Sequence, residues 1–308
     1  MAPTRGEWRE TVRTILDKPG AVVMLGPVDV GKTTVATALA NAALRARLPA
    51  AVVDADPGQS DIGPPATAAL GVPDRPVGRM SEIAPSAAWF VGDTSPRLVA
   101  GDLVEGTARL VRRARRQGAR VIVVDTAGWV EGPAAVATVL REILGVRPRH
   151  VVAIQRGEEV EPILARVPGD IAVHRLPPSP HARPRSRDER RAYREQAFAR
   201  YFAGARPVSL ELLAIPCRRP VRYRGRAIPH GRLLAEVPPE DLRHLLVGLV
   251  DRYGWLVALG TVLEVYPSSQ RVEVLSPLGS LSRVRALHWG VLRVAPSGRE
   301  QGRLPLVA

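Results

Sequence analysis

The stretch Gly26-Pro27-Val28-Asp29-Val30-Gly31-Lys32-Thr33 constrains the fold more than any other feature of the chain. Two glycines separated by four residues and followed by Lys-Thr make a loop whose backbone can wrap closely around a phosphate. The apolar run Ala21 to Leu25 before it reads as a buried strand. Thr33 to Arg45 after it reads as a helix, with apolar residues at Val35, Ala36, Leu39, Ala43 and Leu44. In this strand–loop–helix order, successive N–H groups and the helix N-terminus converge on an anion. The loop positions Gly26, Asp29, Val30, Gly31, Lys32, Thr33 and Thr34 are therefore the expected nucleotide-binding set. Lys32 is expected on the β and γ phosphates, and the Thr33 hydroxyl on Mg²⁺. Only two lysines occur in the chain, Lys18 and Lys32; every other fixed cation is arginine. A lysine kept amid that bias suits a task that needs a compact point charge, although Lys18 persists without an evident role.

The 308 residues suffice for one large domain or two ordinary ones, and their net charge of +14 favours a polyanionic partner. Nucleic acid is the expected partner, with an anionic membrane second; the arginine surplus also admits a purely compositional origin. A single cysteine, Cys217, excludes an internal disulfide and reads as a small buried residue. The six histidines lack metal-site spacing, and no apolar run reaches membrane-spanning length. The charged start, Met1 to Asp17, has no signal-peptide core, so a soluble intracellular protein without membrane contact is expected.

Along the chain, residues 7–16 read as a short helix and Ala50 to Ala55 as a second strand, ending in Asp54-Ala55-Asp56-Pro57-Gly58-Gln59. A carboxylate at this strand end lies where sites of open α/β sheets form. Asp56 either orients a metal or takes a proton, or is only a turn residue before Pro-Gly. Residues 61–86 read as a Gly- and Pro-rich surface excursion, Ala88 to Val91 as a short strand, and 97–117 as a helix whose arginines form a solvated face or a phosphate rail. Arg120 to Asp125 is the most apolar strand, so Asp125 is a second candidate metal carboxylate. Trp129 just after it either packs or stacks on a base. Helices at 133–144 and 158–166 and strands at 150–154 and 171–174 complete an alternation that predicts a parallel sheet with right-handed crossovers. The arginine-rich segment Arg183 to Phe202 reads as a helix with Arg190 and Arg194 on one face. That face either clamps phosphate as a lid or is solvated. From Pro207 short β-type runs dominate, giving an expected division into a phosphate-loop domain at 1–206, with a lid near 177–206, and a β-rich domain at 207–308. Arg218, Arg219, Arg222, Arg224 and Arg226 form a basic stretch in the latter, facing RNA or water.

Together these motifs resemble the polynucleotide 5′-hydroxyl-kinase family, the RNA kinases of tRNA splicing, mRNA 3′-end formation and ribosomal RNA processing. Five segments carry the resemblance: the loop Gly26 to Thr34; Asp54-x-Asp56-x-Gly58-Gln59; Phe90 to Pro96; Thr126-Ala127-Gly128-Trp129; and Arg185 through Arg194 to Phe202. Weaker similarity runs on to Gly290, so most of residues 21–294 is covered. The resemblance implies a P-loop α/β fold and Mg²⁺–ATP-dependent phosphorylation of a polynucleotide 5′-OH, on RNA with DNA as a second substrate. ATP is the implied nucleotide, with GTP as the variant. It further implies Lys32, Asp56, Arg190 and Arg194 as catalytic, with Arg185 on the nucleotide. Asp54, Gln59, Thr94, Ser95, Thr126, Gly128 and Trp129 are implied on the acceptor strand, and Thr33, Asp56 and Asp125 on the metal. Larger eukaryotic members carry an N-terminal β domain, and RNA contacts or protein partners inferred from it do not transfer here. Two alternatives remain: a nucleotide-bound RNA-processing scaffold without turnover, and a P-loop GTPase. Neither lysine lies in the Asn-Lys-x-Asp pattern of guanine readers.

Overall fold

The computed structural model describes residues 5–179, 182–216 and 221–305. Cys217, Arg218 and Arg219 lie outside the described residues, as does the side chain of Arg222, so the buried-cysteine and basic-stretch expectations are not described by it. The described residues fall into two compact units. The first comprises residues 1–63, 67–88 and 95–186; the second comprises 64–66, 89–94 and 187–308.

The first unit follows the predicted alternation. Its elements are α1 (Arg5–Asp17), β1 (Ala21–Leu25), α2 (Lys32–Arg45), β2 (Ala50–Ala55), β3 (Thr67–Gly71), β4 (Pro85–Phe90), α3 (Ala100–Arg116), β5 (Val121–Thr126), α4 (Pro133–Val146), β6 (His150–Ile154), α5 (Glu161–Leu164) and β7 (Ala172–Leu176). The sheet order is β4-β3-β2-β5-β1-β6-β7. β2, β5, β1, β6 and β7 pair in parallel. The near-continuous apolar strands AVVML and VIVVDT are buried on both faces, as a helix-covered parallel sheet requires.

Two expectations are corrected here. Residues 61–86 are not a surface excursion: β3 lies within them, is buried throughout and pairs antiparallel with β2, so the sheet is mixed. Small residues explain why the segment reads as a loop. The run Thr67-Ala68-Ala69-Leu70-Gly71 has almost no β-branched content, yet Ile83 fills the space beside Gly71, where an added Cβ would meet it at 2.4 Å. The helix expected at 158–166 shrinks to the single turn α5.

The second unit holds α6 (Arg187–Phe202) and a sheet of β8 (Arg206–Glu211), β11 (Leu245–Val250), β12 (Leu256–Tyr266), β13 (Arg271–Ser276), β14 (Ala286–Val294) and β15 (Glu300–Arg303). A separate hairpin pairs β9 (Val221–Tyr223) with β10 (Arg226–Ile228). The large sheet has order β15-β14-β11-β12-β13-β8 and is antiparallel. In the division into compact units, α6 groups with the second. Phe198 and Phe202 of α6 are buried with Phe90, Leu246, Leu259, Leu292 and Val294. The Tyr201 hydroxyl accepts the Leu259 N–H at 2.8 Å. The charged composition of this helix conceals an aromatic anchor confined to its last turns.

Helices α3 and α4 bury Glu142 between them. Thr107 Oγ1 lies 2.9 Å from the Leu103 carbonyl and 3.0 Å from Glu142 Oε1. One hydroxyl proton cannot serve two acceptors; a neutral Glu142 donating its own proton to Thr107 satisfies all three groups. Burial pushes this carboxyl up to about 7 from an ordinary 4.5, against the hydrogen bond with Thr107. The folded state therefore binds an extra proton between those values, and stability falls as pH rises from about 4.5 to about 7. Glu142→Gln should remove that slope. Melting temperatures at about pH 5 and about pH 8 test this: the wild type should lose more than the variant, and parallel losses would refute the assignment.

Candidate phosphotransfer site

The parallel strands end on one sheet edge, and the site is built there. Gly26 follows β1, and a Cβ at this position would lie 2.1 Å from the Ile154 carbonyl at the end of β6. Gly31 adopts φ +91°, a left-handed conformation that glycine alone tolerates at little cost. Asp29 also has positive φ, at 58°, without being glycine. Outside contacts hold it: Arg156 Nη2 donates to its carbonyl at 2.9 Å, and its Oδ2 accepts the Arg185 N–H at 3.0 Å. The Val30 carbonyl accepts the Ser179 N–H at 3.2 Å, so the segment before α6 lies along the loop.

Lys32 is buried, and its Nζ donates to the Pro27 carbonyl at 2.9 Å. Burial pulls its ammonium down, opposed by the carboxylates of Asp125, Asp56 and Asp29; Arg156 adds to the lowering. Thr33 Oγ1 donates to Asp125 Oδ2 at 2.6 Å. Asp125 Oδ1 is buried and has no hydrogen-bond partner among the described residues. Burial pushes Asp125 up to about 6, against the pull of Lys32 and the Thr33 hydrogen bond. Asp56 remains partly exposed, and both of its backbone bonds fall on Oδ1, from Gly58 at 2.9 Å and Gln59 at 3.1 Å. Burial of its surroundings raises it, and Lys32 opposes the rise.

Several residues expected on the acceptor strand have internal duties. Asp54 is buried, and its Oδ2 accepts from Ser60 Oγ at 3.0 Å and from the N–H groups of Asp61 at 2.6 Å and Ile62 at 3.0 Å. It shapes the loop after β2, and burial pushes it up to about 8. The Thr126 hydroxyl donates to the Met24 carbonyl at 2.6 Å and ties β5 to β1. Gly128 admits a close approach to the phosphate loop itself: a Cβ there would lie 2.6 Å from Val28 N. Gln59 Oε1 accepts from Arg185 Nη1 at 2.9 Å, while its buried Nε2 has no partner among the described residues. Trp129 is half-buried, with its indole N–H likewise unpartnered. The first unit thus brings together Lys32, Thr33, Asp56, Gln59, Asp125, Gly128 and Arg185 around one loop.

Thr94, Arg190 and Arg194 belong to the second unit, Ser95 to the first. Thr94 is buried next to Asp93, whose carboxylate receives both arms of Arg303, Nε at 2.7 Å and Nη2 at 3.0 Å. Arg194 pairs with Glu300 through Nε at 2.5 Å and Nη2 at 3.1 Å. Arg156, Glu300 and Arg303 carried no sequence signal, since each is an isolated charge outside any motif. The arginines of α3 include solvated pairs, such as Arg109 with Glu105 at 2.9 Å.

A glycine loop on the edge of a largely parallel sheet, with a buried lysine and a threonine–aspartate pair at its end, defines a P-loop nucleotide-binding domain. Residues 26–204 match the family model described as mRNA cleavage and polyadenylation factor CLP1 P-loop, and the chain belongs to that family. It is 30% identical to the polyribonucleotide 5′-hydroxyl-kinase of Pyrococcus furiosus, over 94% of this chain and 92% of that protein. It is 28% identical to the one of Methanocaldococcus jannaschii, over 93% and 90% respectively. A solved structure of the Clp1p–Pcf11p complex has the same fold, with a TM-score of 0.66 over 92% of this chain and 77% of that one at 13% identity. Among the described residues, no helix is long and apolar enough to cross a membrane.

Arg156 is the unanticipated member of the site. Arg156→Ala should weaken ATP binding roughly tenfold by freeing the Asp29 carbonyl, without unfolding the protein. Calorimetric titration checks this; unchanged affinity would mean that Asp29 is held without it.

Proposed function

We propose that this protein transfers the γ-phosphate of ATP to the 5′-hydroxyl end of a polynucleotide, RNA first and DNA as a second acceptor. The observation that carries the reading is the convergence of Lys32, Thr33, Asp125 and Asp56 on one sheet edge. The acceptor class is supported by the names of relatives that match nearly end to end and by the net charge of +14.

The residues present suit a divalent cation. Asp125 Oδ1 is an orphaned buried oxygen, and Thr33 Oγ1 sits on the partner oxygen of the same carboxyl. Mg²⁺ would be held by Thr33 and Asp125, with Asp56 beside them, and would supply positive charge to offset that of the phosphates. Lys32 gives up the Pro27 carbonyl for the β and γ phosphates. The N–H groups of Gly31 to Thr34 sit at the start of α2 and present the helix's positive end to the same phosphates. Asp56 orients the 5′-hydroxyl and accepts its proton as the bond to phosphorus forms. A raised carboxylate is a better base than an ordinary one, and the direction given by burial at Asp56 serves that role. Trp129 offers an aromatic face to the terminal base. Arg190 and Arg194 neutralise charge developing on the transferred group, Arg194 exchanging Glu300 for phosphate oxygens.

Labelled γ-phosphate offered with 5′-OH RNA, 5′-OH DNA and free nucleosides side by side tests the reading. Labelling of the strands supports it; labelling of nucleosides alone would defeat the polynucleotide claim. Lys32→Ala should abolish transfer and leave the melting temperature of the ligand-free protein within a few degrees of wild type. Arg190→Lys should be nearly as damaging to kcat as Arg190→Ala, because lysine keeps the charge and loses the fork. A fully active Arg190→Lys, or a change confined to KM for ATP, would make Arg190 an ordinary phosphate binder.

A further inference from the structure

Arg97 immediately follows Thr94-Ser95-Pro96 and belongs to the same compact unit as Trp129. Its Cζ stands over the Trp129 ring, 5.5 Å from the centroid. The arginine is exposed, and among the described residues no carboxylate pairs with it. Other exposed arginines are committed differently: Arg109 to Glu105, Arg175 to Glu161 and Arg191 to Glu195. The chain around Arg97 winds into α3 through two turns, with Leu98 N–H to the Ser95 carbonyl at 3.4 Å and Val99 N–H to the Pro96 carbonyl at 3.3 Å. The N-cap of α3, Val99, supplies no side-chain bond to the first N–H groups of this 17-residue helix. The positive end of a long helix thus follows Arg97 closely in the chain, with Asp102 as the acidic residue of its first turn.

These features lie next to an aromatic face, and their combination has a chemical meaning. A terminal base stacked on an indole carries its sugar to one side, and the phosphodiester on the 3′ side of that sugar is the first fixed negative charge of the strand. A free nucleoside has no such group. A guanidinium matches phosphate oxygens with two parallel N–H bonds, and the match is charge-assisted. We propose that Arg97 binds the first internucleotide phosphate of the acceptor and thereby makes the site select a strand over a nucleoside; the proposal rests on the kinase reading above. The cation–π contact holds the guanidinium over the Trp129 ring, so the charge and the aromatic group are kept together.

The role differs from that of the phosphate loop, because it acts on the acceptor and leaves ATP untouched. The test is a substitution cycle on both molecules. Wild type, Arg97→Ala and Arg97→Lys are assayed with 5′-OH oligoribonucleotides carrying either an ordinary first linkage or an uncharged methylphosphonate there. In the wild type, neutralising the linkage should raise the acceptor KM roughly tenfold, the size expected for one charge-assisted contact. Arg97→Ala should show the same rise on the ordinary strand and little further loss on the neutral one, with KM for ATP unchanged. Arg97→Lys should keep most of the preference, since a point charge also binds phosphate. If Arg97→Ala and the wild type lose equally on the neutral linkage, Arg97 does not touch that phosphate and the proposal falls while the kinase reading stands. If the wild type labels no 5′-OH strand at all, the kinase reading itself falls and takes this proposal with it.

Discussion

The hydrogen bond from Thr33 to Asp125 is the contact on which the site depends. It joins the first turn of α2 to the end of β5, and β5 is in register with both β1 and β2. The phosphate loop therefore cannot shift without disturbing the centre of the sheet. Charge is buried around this bond. Lys32 is taken out of water, where an isolated ammonium is costly, and the carboxylates of Asp125, Asp56 and Asp29 oppose that cost. Burial pushes the carboxyls of Asp125 and Asp54 up to about 6 and about 8. Such a cluster is poised for added positive charge and for phosphate together.

Much of this was legible in the sequence because it is local. The loop spacing, the apolar runs at 21–25 and 121–125 and the carboxylates at strand ends depend on neighbours within a few residues. What escaped depends on distant partners. β3 reads as loop because Thr67 to Gly71 lacks β-branched bulk, and only the antiparallel pairing with β2 makes it a strand. The arginine helix reads as an appendage of the phosphate-loop domain, yet Phe198 and Phe202 anchor it in the second unit. Asp54 and Thr126 carry motif positions, and both spend their polar atoms on backbone groups of the fold.

The second unit is held by packing as close as that of the phosphate loop. Gly248 leaves room for the Phe90 ring, 2.5 Å from where a Cβ would sit, and Gly290 lies against the Gly92 carbonyl at 2.7 Å on the same measure. The Gly92 carbonyl also accepts the Val291 N–H at 2.9 Å. Asp93, fully buried, is neutralised by Arg303. The segment Phe90 to Thr94 is thus bound into the C-terminal sheet by backbone bonds, close packing and the ion pair of buried Asp93 with Arg303. Removing Arg303 would take this partner from the buried Asp93 carboxylate.

The central claim is that one sheet edge both binds the nucleotide and activates the acceptor hydroxyl, with Asp56 as the group that separates the two tasks. Single-turnover transfer from γ-labelled ATP to a 5′-OH oligoribonucleotide, measured beside ATP affinity on the same samples of wild type and Asp56→Asn, tests it directly. The account expects the variant to bind ATP as the wild type does and to lose transfer by about a hundredfold or more, the range of general-base catalysis. Transfer at the wild-type rate, or loss of ATP binding in step with loss of transfer, would contradict it.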